Sequence, residues 1–166
     1  AAFEGAEPNT ALLRIVNNAI TNANTNVRKA QKEKPEASGM GCTCVLLAFR
    51  KKEYCIGSVG DSRIYRYRDN QLQQLTVDHS YVEELFQRGL ISEEEKSTHP
   101  LKNAITRYVG HEDVIKVDVS SGPLRSGDRF ILCSDGLHGE VTASQMAGVL
   151  RDNMNPKDCV QKLIQL

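Results

Sequence analysis

Two aspartates stand where acidic side chains could bind a metal ion. Asp61 and Asp135 each follow an apolar run, in the words Gly-Ser-Val-Gly-Asp-Ser-Arg over residues 57–63 and Leu-Cys-Ser-Asp-Gly-Leu over residues 132–137. This context indicates carboxylates at the ends of strands, and carboxylate oxygens are the ligands that Mg²⁺ and Mn²⁺ prefer. Aspartate beside glycine or serine is also ordinary turn chemistry, because its side chain bonds nearby backbone amides. From the spacing alone, a shared cation centre and two plain turns both stay open.

Three more side chains could take part in proton or phosphate chemistry. His79 could donate a proton, because imidazole titrates near neutrality, or it could belong to a helix cap beside Asp78 or Ser80. Arg63 and Arg107 could bind phosphate in a bidentate manner, or they could form ion pairs next to a strand. The sequence leaves both interpretations of these residues open.

The motifs of several other enzyme classes are absent. The sequence has no Gly-x-Ser-x-Gly nucleophile elbow, no phosphate-binding Gly-x-x-x-x-Gly-Lys loop, no dinucleotide-binding Gly-x-Gly-x-x-Gly and no His-Glu-x-x-His zinc motif. Serine hydrolases, nucleotide-binding proteins and zinc proteases therefore lose support. Lys plus Arg and Asp plus Glu number 21 each, without a run of like charges. That balance argues against a broad binding surface for nucleic acid or anionic lipid.

Length and composition indicate one compact domain. The chain has 166 residues, of which 40% are hydrophobic, and this is within the range of a single core. No apolar stretch approaches the roughly 20 residues that cross a bilayer, and the first residues show no signal-peptide pattern. The five cysteines form an odd set that predicts buried, reduced thiols: Cys42, Cys44, Cys55, Cys133 and Cys159. We therefore expect a cytoplasmic protein with neither a nucleic acid nor a membrane as partner.

A helix at the start of the chain is predicted by an apolar stripe. Apolar residues recur at spacings of three and four: Leu12, Val16, Ala19, Ile20, Ala23, Val27 and Ala30. Four asparagines lie elsewhere on the same helix and predict a solvated face: Asn17, Asn18, Asn22 and Asn24.

Strands and further helices must position the two aspartates. Six runs have the length and apolar content of strands: 42–49, 54–59, 64–68, 72–76, 114–119 and 129–133. The short gaps between the first four favour antiparallel neighbours, and the run 129–133 is apolar enough to be central. Helical periodicity over about 77–110 predicts an insertion, with a capping box that begins at Ser92. Two helices are predicted to begin after Thr142 and Asn155, and the order of elements predicts the α+β class.

Six short words occur in a fixed order along the chain. They are Gly-Met-Gly-Cys-Thr at 39–43, Val-Gly-Asp-Ser-Arg at 59–63, Leu-Thr-Val-Asp-His-Ser at 75–80, His-Pro at 99–100, Ile-Thr-Arg at 105–107 and Cys-Ser-Asp-Gly-Leu at 133–137. This series resembles bacterial metal-dependent protein serine/threonine phosphatases of the type 2C class over about residues 38–141. The resemblance implies a sandwich of two antiparallel β-sheets flanked by α-helices, in a single domain over 1–166 with a helical flap over about 77–110.

The resemblance also implies a metal site and a reaction. In the family, the aspartate that corresponds to Asp135 ligates a metal of the central pair and shares a further metal with the aspartate that corresponds to Asp61. Two or three Mg²⁺ or Mn²⁺ ions are therefore expected. The implied activity is hydrolysis of phosphoserine and phosphothreonine in proteins, with a metal-activated water and no side chain as nucleophile. Asp78, His79 and Ser80 would begin the substrate flap. The implied partners are a phosphorylated protein and a serine/threonine kinase or its targets.

Several of the family's motifs are missing. The family has an Arg and an Asn-Glu-Asp word on early strands, an Asp-Gly-Met-Gly word before its first long helix and an Asp-Asn word on its last strand, and none is found in those places here. We therefore expect a fragment of the domain, incomplete at both ends and inactive alone, that begins after the first acidic ligand and ends before the last. The alternative is a non-catalytic phosphatase-like binding or regulatory module. A third possibility is that the chain pairs with another chain to complete its sheets.

Overall fold

Two antiparallel sheets lie at the centre of the computed structural model, which describes residues 8–166. The first sheet has the order β1 (Cys44–Arg50), β2 (Glu53–Val59) and β5 (Asp118–Pro123). The second has the order β4 (Gln71–Gln74), β3 (Arg63–Arg68) and β6 (Arg129–Cys133). Every pair of neighbouring strands is antiparallel, which confirms the predicted fold class. Residues 1–7 of the predicted domain lie outside the described residues.

The two sheets face each other across an apolar interior. Tyr54 and Ile56 on β2 pack with Ile64 on β3. Phe130 on β6 contacts this group, with its ring centroid 5.3 Å from that of Tyr54 in an edge-on arrangement. Because side chains alternate along a strand, the intervening residues of β2 face the opposite side of the first sheet. Each sheet therefore needs a second layer on its outer face.

Helix α1 (Pro8–Glu33) covers the outer face of the first sheet. Its predicted stripe is confirmed at Leu12, Val16 and Ile20, which are buried. The helix approaches Gly57 on β2 so closely that a Cβ there would lie 2.5 Å from Val16 Cγ1. Glycine at this position thus lets the helix contact the sheet backbone.

The prediction of a solvated asparagine face is wrong at Asn24, which is 1% exposed. Its Oδ1 accepts a hydrogen bond of 2.7 Å from Gly110 N, and its Nδ2 donates to Glu112 O at 2.8 Å. The side chain therefore satisfies backbone groups of a loop that folds over the helix. A pattern of local spacing could not reveal a partner 86 residues away.

Helices α5 (Ala143–Asp152) and α6 (Pro156–Ile164) cover the outer face of the second sheet. Met146 and Leu163 pack against Tyr65 of β3. Both predicted starts are confirmed, because Thr142 and Gln145 form a capping box and Asn155 caps α6 through Lys157 N. The molecule is thus four layers thick, with α1, two sheets and the α5–α6 pair. No helix within residues 8–166 combines the length and the apolar character needed to cross a bilayer.

The predicted insertion forms between the strands of the second sheet and β5. It contains α2 (Tyr81–Gln87) and α3 (Glu93–Thr98), the latter with the predicted capping box at Ser92. The chain enters and leaves the insertion at one place, where Ser80 and Ile105 form an antiparallel bridge. Tyr81 N donates to Ala104 O at 2.9 Å beside that bridge.

Two strand predictions are wrong. The strand predicted over 114–119 is found at Asp118–Pro123, because Ile115 and Val117 are buried under α1 without joining a strand while Val114 is 84% exposed. Alternation in this stretch reflects a loop that buries every second residue. The strand predicted to be central, β6, lies at an edge of its sheet among the described residues.

Candidate functional site

Asp61 and Asp135 line the same cleft, of about 290 Å³, at one end of the second sheet. The register of the strands explains why. Arg63, at the start of β3, is paired with Cys133, at the end of β6. The turn before β3 and the turn after β6 therefore meet at one edge, and each carries one of the two aspartates two residues from that pair.

The Asp61 turn has a tightly restricted backbone. Gly60 has a φ of +104°, in the region that favours glycine. A Cβ at Gly60 would lie 2.4 Å from Cγ2 of Thr43, the residue before β1. The turn is thus interlocked with the neighbouring segment, and this fixes the direction in which Asp61 leaves the strand.

The two carboxylates repel each other. Burial raises the pKa of Asp61 most, a hydrogen bond from its own backbone amide opposes this, and the negative charges of Asp135 and Asp78 raise the pKa further. A bound cation would offset this repulsion because it favours the ionised form of both groups.

Helix α4 (Asp135–His138) connects the two aspartates. Asp135 is its first residue and follows Ser134 at the N-cap. His138 reaches across to the other turn, with Nε2 3.0 Å from the carbonyl oxygen of Asp61. The carbonyl oxygen can only accept, so Nε2 of His138 carries a proton and donates it. Burial and the positive charge of Arg63 lower the pKa of His138. One short helix therefore supplies one aspartate and holds the backbone of the other.

Arg63 and Arg107 both form ion pairs. Arg63 Nε lies 3.0 Å from Asp78 Oδ1 and its Nη2 lies 2.7 Å from Asp78 Oδ2. Arg107 Nη1 lies 3.1 Å from Asp118 Oδ1, and Arg107 does not line the cleft. The guanidinium of Arg63 is therefore part of the cleft wall, where it balances the charge of Asp78.

The three residues predicted at the start of the flap separate in space. Asp78 and Ser80 line the cleft, whereas His79 does not. Ser80 is the N-cap of α2 and accepts a hydrogen bond from Glu83 N. His79 is 6% exposed and contacts Gly60, Asp118 and Arg107. The sequence left two interpretations of His79 open. One of them, a helix cap beside this residue, is observed at Ser80.

Sequence reasoning did not identify two lysines in the cleft. Lys96 on α3 forms ion pairs with Glu83 on α2 and with Glu93. Lys102 also lines the cleft, and within the described part of the chain no carboxylate pairs with it. The spacing from Glu83 to Lys96 crosses two helices, so no local pattern marked this pair.

The donor set of the cleft is compatible with a hard divalent cation but is small. Asp61 and Asp135 offer carboxylate oxygens, and Mg²⁺ binds proteins through one or two carboxylates while it keeps several waters. Asp78 is occupied by Arg63. Across residues 8–166, no group of three or more His, Cys, Asp and Glu side chains is placed to hold a metal ion.

Comparisons with known proteins agree on one family. The sequence matches the profile of protein phosphatase 2C over residues 2–163. It is 38% identical over 132 residues to the serine/threonine phosphatase stp of Listeria welshimeri, which covers 80% of this chain and 52% of that protein. The chain thus spans about half the length of the curated relatives it matches.

Solved structures of the same kind superpose on almost the whole chain. A bacterial serine phosphatase has a TM-score of 0.88 and 33% identity, over 99% of this chain and 66% of its own. The catalytic domain of the serine/threonine protein phosphatase PstP, in complex with two manganese ions, has a TM-score of 0.81 and 30% identity, over 96% of this chain and 66% of its own.

Proposed function

The chain belongs to the protein phosphatase 2C family, and from this premise we propose that the protein which contains it is a Mg²⁺- or Mn²⁺-dependent protein serine/threonine phosphatase. The observation that carries the proposal is that Asp61 and Asp135 line one cleft and that the charge of Asp135 helps to raise the pKa of Asp61. A manganese-bound relative of similar fold supports the choice of cation.

Each side chain of the cleft has a distinct role in this proposal. Asp61 and Asp135 would hold the cation, which when bound would activate a water and offset charge on phosphoryl oxygens. His138 keeps the Asp61 backbone in place. The Arg63–Asp78 pair forms a fixed, nearly neutral wall. Lys102 is left to attract the negative charge of a substrate.

The proposed substrate is a phosphoserine or phosphothreonine in a protein. Residues of α2 and α3 line the cleft beside the acidic turns, so these helices would contact a segment of a protein that enters it. Residues about 77–110 would act as a flap within a single domain, and Ser80 and Asp78 would present its base to the substrate. A serine/threonine kinase or its targets as partners, and a cytoplasmic location, remain expectations of the sequence.

Hydrolysis of a phosphothreonine peptide tests the proposal. The complete encoded polypeptide that includes these residues is assayed with Mn²⁺ and after chelation with EDTA. We expect turnover only with metal, and a loss of about 100-fold in kcat/KM for Asp135→Asn. Asp152→Asn serves as a matched control, because that carboxylate is 61% exposed and is not among the residues that line the cleft. Turnover that survives both EDTA and Asp135→Asn would contradict the proposal.

A non-catalytic phosphatase-like module is the second candidate. It is favoured by the small donor set, with two free carboxylates in the cleft and no larger cluster across residues 8–166. Binding of the same phosphopeptide without turnover, at any concentration of Mn²⁺ or Mg²⁺, would support this candidate over the enzyme.

A further inference from the structure

We propose that His79 is a positioning residue that fixes the turn carrying Asp61, and that Asp118 and Arg107 set the orientation of its ring. This inference rests on the proposed function, because it assigns His79 a role toward a cation that Asp61 would help to bind. His79 is outside the cleft, so it acts through the backbone of Gly60 and not on the substrate.

One residue holds both backbone polar groups of Gly60. The backbone nitrogen of His79 donates to Gly60 O at 3.0 Å. Gly60 N in turn donates to His79 Nδ1, also at 3.0 Å. These two hydrogen bonds connect the turn before Asp61 to the segment that leads into the insertion, and they are buried with the ring.

The hydrogen bond from Gly60 determines where the imidazole proton lies. A backbone N–H can only donate, so His79 Nδ1 must carry a lone pair, and the proton of the neutral ring is on Nε2. Nε2 lies 3.0 Å from Asp118 Oδ2 and therefore donates to it. Asp118 thereby selects the tautomer that can accept from Gly60.

Arg107 keeps Asp118 in that role. Its Nη1 lies 2.9 Å from His79 Nε2, but that nitrogen already carries a proton and cannot accept. Nη1 donates instead to Asp118 Oδ1 at 3.1 Å and to Lys116 O at 3.3 Å. Burial opposes ionisation of Asp118, yet its hydrogen bond with His79 and the charge of Arg107 lower the pKa of this carboxyl. The carboxylate is thus held ionised next to the ring, as in carboxylate–histidine pairs that orient metal-binding groups.

The Asp61 turn has little freedom to compensate for the loss of His79. Gly60 is in the left-handed region and fits against Thr43. His138 holds the turn from the opposite side, at the carbonyl of Asp61. Removing the acceptor at His79 leaves the Gly60 amide buried without a partner, and the turn can restore a hydrogen bond only by shifting Asp61.

Two substitutions of His79 distinguish the role of Nδ1, which accepts from Gly60 N, from the role of Nε2, which contacts Asp118. In His79→Asn, the amide oxygen can occupy the position of Nδ1 and accept from Gly60. In His79→Gln, the longer side chain reaches the position of Nε2, where it can contact Asp118 but leaves Gly60 N without an acceptor. His111→Gln is the matched control, because His111 is exposed and lies outside both the cleft and the flap.

The affinity for Mn²⁺ is measured by isothermal titration of the complete polypeptide, together with hydrolysis of a phosphothreonine peptide. We expect His79→Gln to weaken Mn²⁺ binding by about tenfold or more, whereas His79→Asn stays within about threefold of the wild type and His111→Gln is unchanged. KM for the peptide at saturating Mn²⁺ should stay the same, since His79 does not touch the cleft.

Exchange of the Gly60 amide proton, followed by NMR, gives a readout without metal. Its protection should fall in His79→Gln and be kept in His79→Asn. Equal Mn²⁺ affinity or equal Gly60 protection in the two variants would overturn the inference while the proposed function stands. A wild-type protein that binds no Mn²⁺ and hydrolyses no phosphopeptide would overturn the proposed function instead, and the role of His79 in holding Gly60 would then be decided by the exchange data.

Discussion

Asp61 and Asp135 reach the cleft from two kinds of local structure. Asp61 leaves a turn whose shape is imposed by Gly60 and its neighbours, whereas Asp135 begins a helix and is held by the helical backbone. A carboxylate on a turn needs support from other elements, and here two histidines supply it. We therefore predict that substitutions far from the cleft shift the carboxylate of Asp61 more than that of Asp135.

Under the proposed function, Lys102 would be the residue that attracts the phosphorylated substrate. The other cations of the cleft wall are paired, Arg63 with Asp78 and Lys96 with two glutamates. We expect Lys102→Gln to raise KM for a phosphopeptide by about two- to fivefold with little change in kcat, as for the loss of one exposed charge contact. Steady-state kinetics at low ionic strength would measure this. An equal rise in KM for Lys157→Gln, an exposed lysine on α6, would contradict the assignment.

For single residues, the sequence predicted positions that depend on the neighbouring residues in the chain. The glycine and serine beside Asp61 and Asp135 marked both as residues at strand ends, and the structure places them in one cleft. The partners of His79, and the lack of a carboxylate partner for Lys102 among residues 8–166, could not be predicted. They depend on contacts between segments such as 79 and 118, whose meeting is decided by the packing of whole sheets.

Among the elements, helix α1 combines an apolar stripe with one buried polar anchor. Asn24→Ala would leave Gly110 N and Glu112 O without their partner, while the apolar residues of the helix stay in place. We expect a loss of about 2 kcal/mol in the free energy of unfolding, because buried backbone groups would be unsatisfied. Urea denaturation of the variant measures it. Asn22→Ala is the control on an exposed site of the same helix, and an equal loss there would refute the role of Asn24 as an anchor.

The turn between β5 and β6 is held to β3 by one ion pair. Arg68 Nε lies 2.6 Å from Asp128 Oδ1, and the Asp128 side chain is 1% exposed. The hydrogen bond with Arg68 lowers the pKa of Asp128 below its ordinary value of 3.8. Since the folded pKa is lowered, the stabilisation is complete above the unfolded pKa and is lost as the pH falls through the folded pKa.

Replacement of Asp128 should therefore change how stability depends on pH. We expect Asp128→Asn to lower the free energy of unfolding at pH 7, because it leaves Arg68 without its charge partner, and the difference from the wild type to shrink below about pH 4. Guanidinium denaturation at pH 7 and pH 3 would show it. Asp158→Asn, on the exposed side of α6, is the control; a constant difference between wild type and Asp128→Asn at both pH values would count against the ion pair.

Helices whose caps are encoded within a few residues were predicted correctly. A strand that lacks a pattern in its own sequence was not. The caps at Thr142 and Asn155 are encoded within a few residues, and both helices begin there. The strand β5 runs through Ser120, Ser121 and Gly122, which have weak strand propensity. It forms because β2 offers a free edge, with Tyr54 opposite Gly122. That pairing is long-range and leaves no pattern in its own sequence.

For the whole molecule, β1 and β6 are edge strands of the two sheets within residues 8–166, and the side of the sandwich on which they lie is open in that part of the chain. The rings of Phe49 and Phe130 contact each other across this side, with centroids 5.5 Å apart. Phe49 is 55% exposed and Leu132 is 45% exposed, although both lie on the strand faces that are turned to the interior. Apolar side chains at an unpaired strand edge favour association with other chains.

We therefore expect residues 1–166, produced as a separate chain, to associate as their concentration rises. Leu132→Lys should reduce this association at least severalfold in multi-angle light scattering, because a charge at the edge opposes strand pairing. Val160→Lys is the control, an equally large change at a 55% exposed position on α6. A strictly monomeric wild-type chain, or an equal effect of both substitutions, would contradict the expectation.

The two ends of the insertion lie side by side where it joins the sandwich. Ser80 and Ile105 are bridged, and Thr106 N donates to His79 O at 2.9 Å beside them. The stretch between these two points also lines the cleft, so a different stretch of chain whose ends lie equally close would change the cleft wall while the strands keep their own pairing. Under the proposed function, the surface that would meet a phosphoprotein could thus diverge among relatives while the two aspartates stay in place.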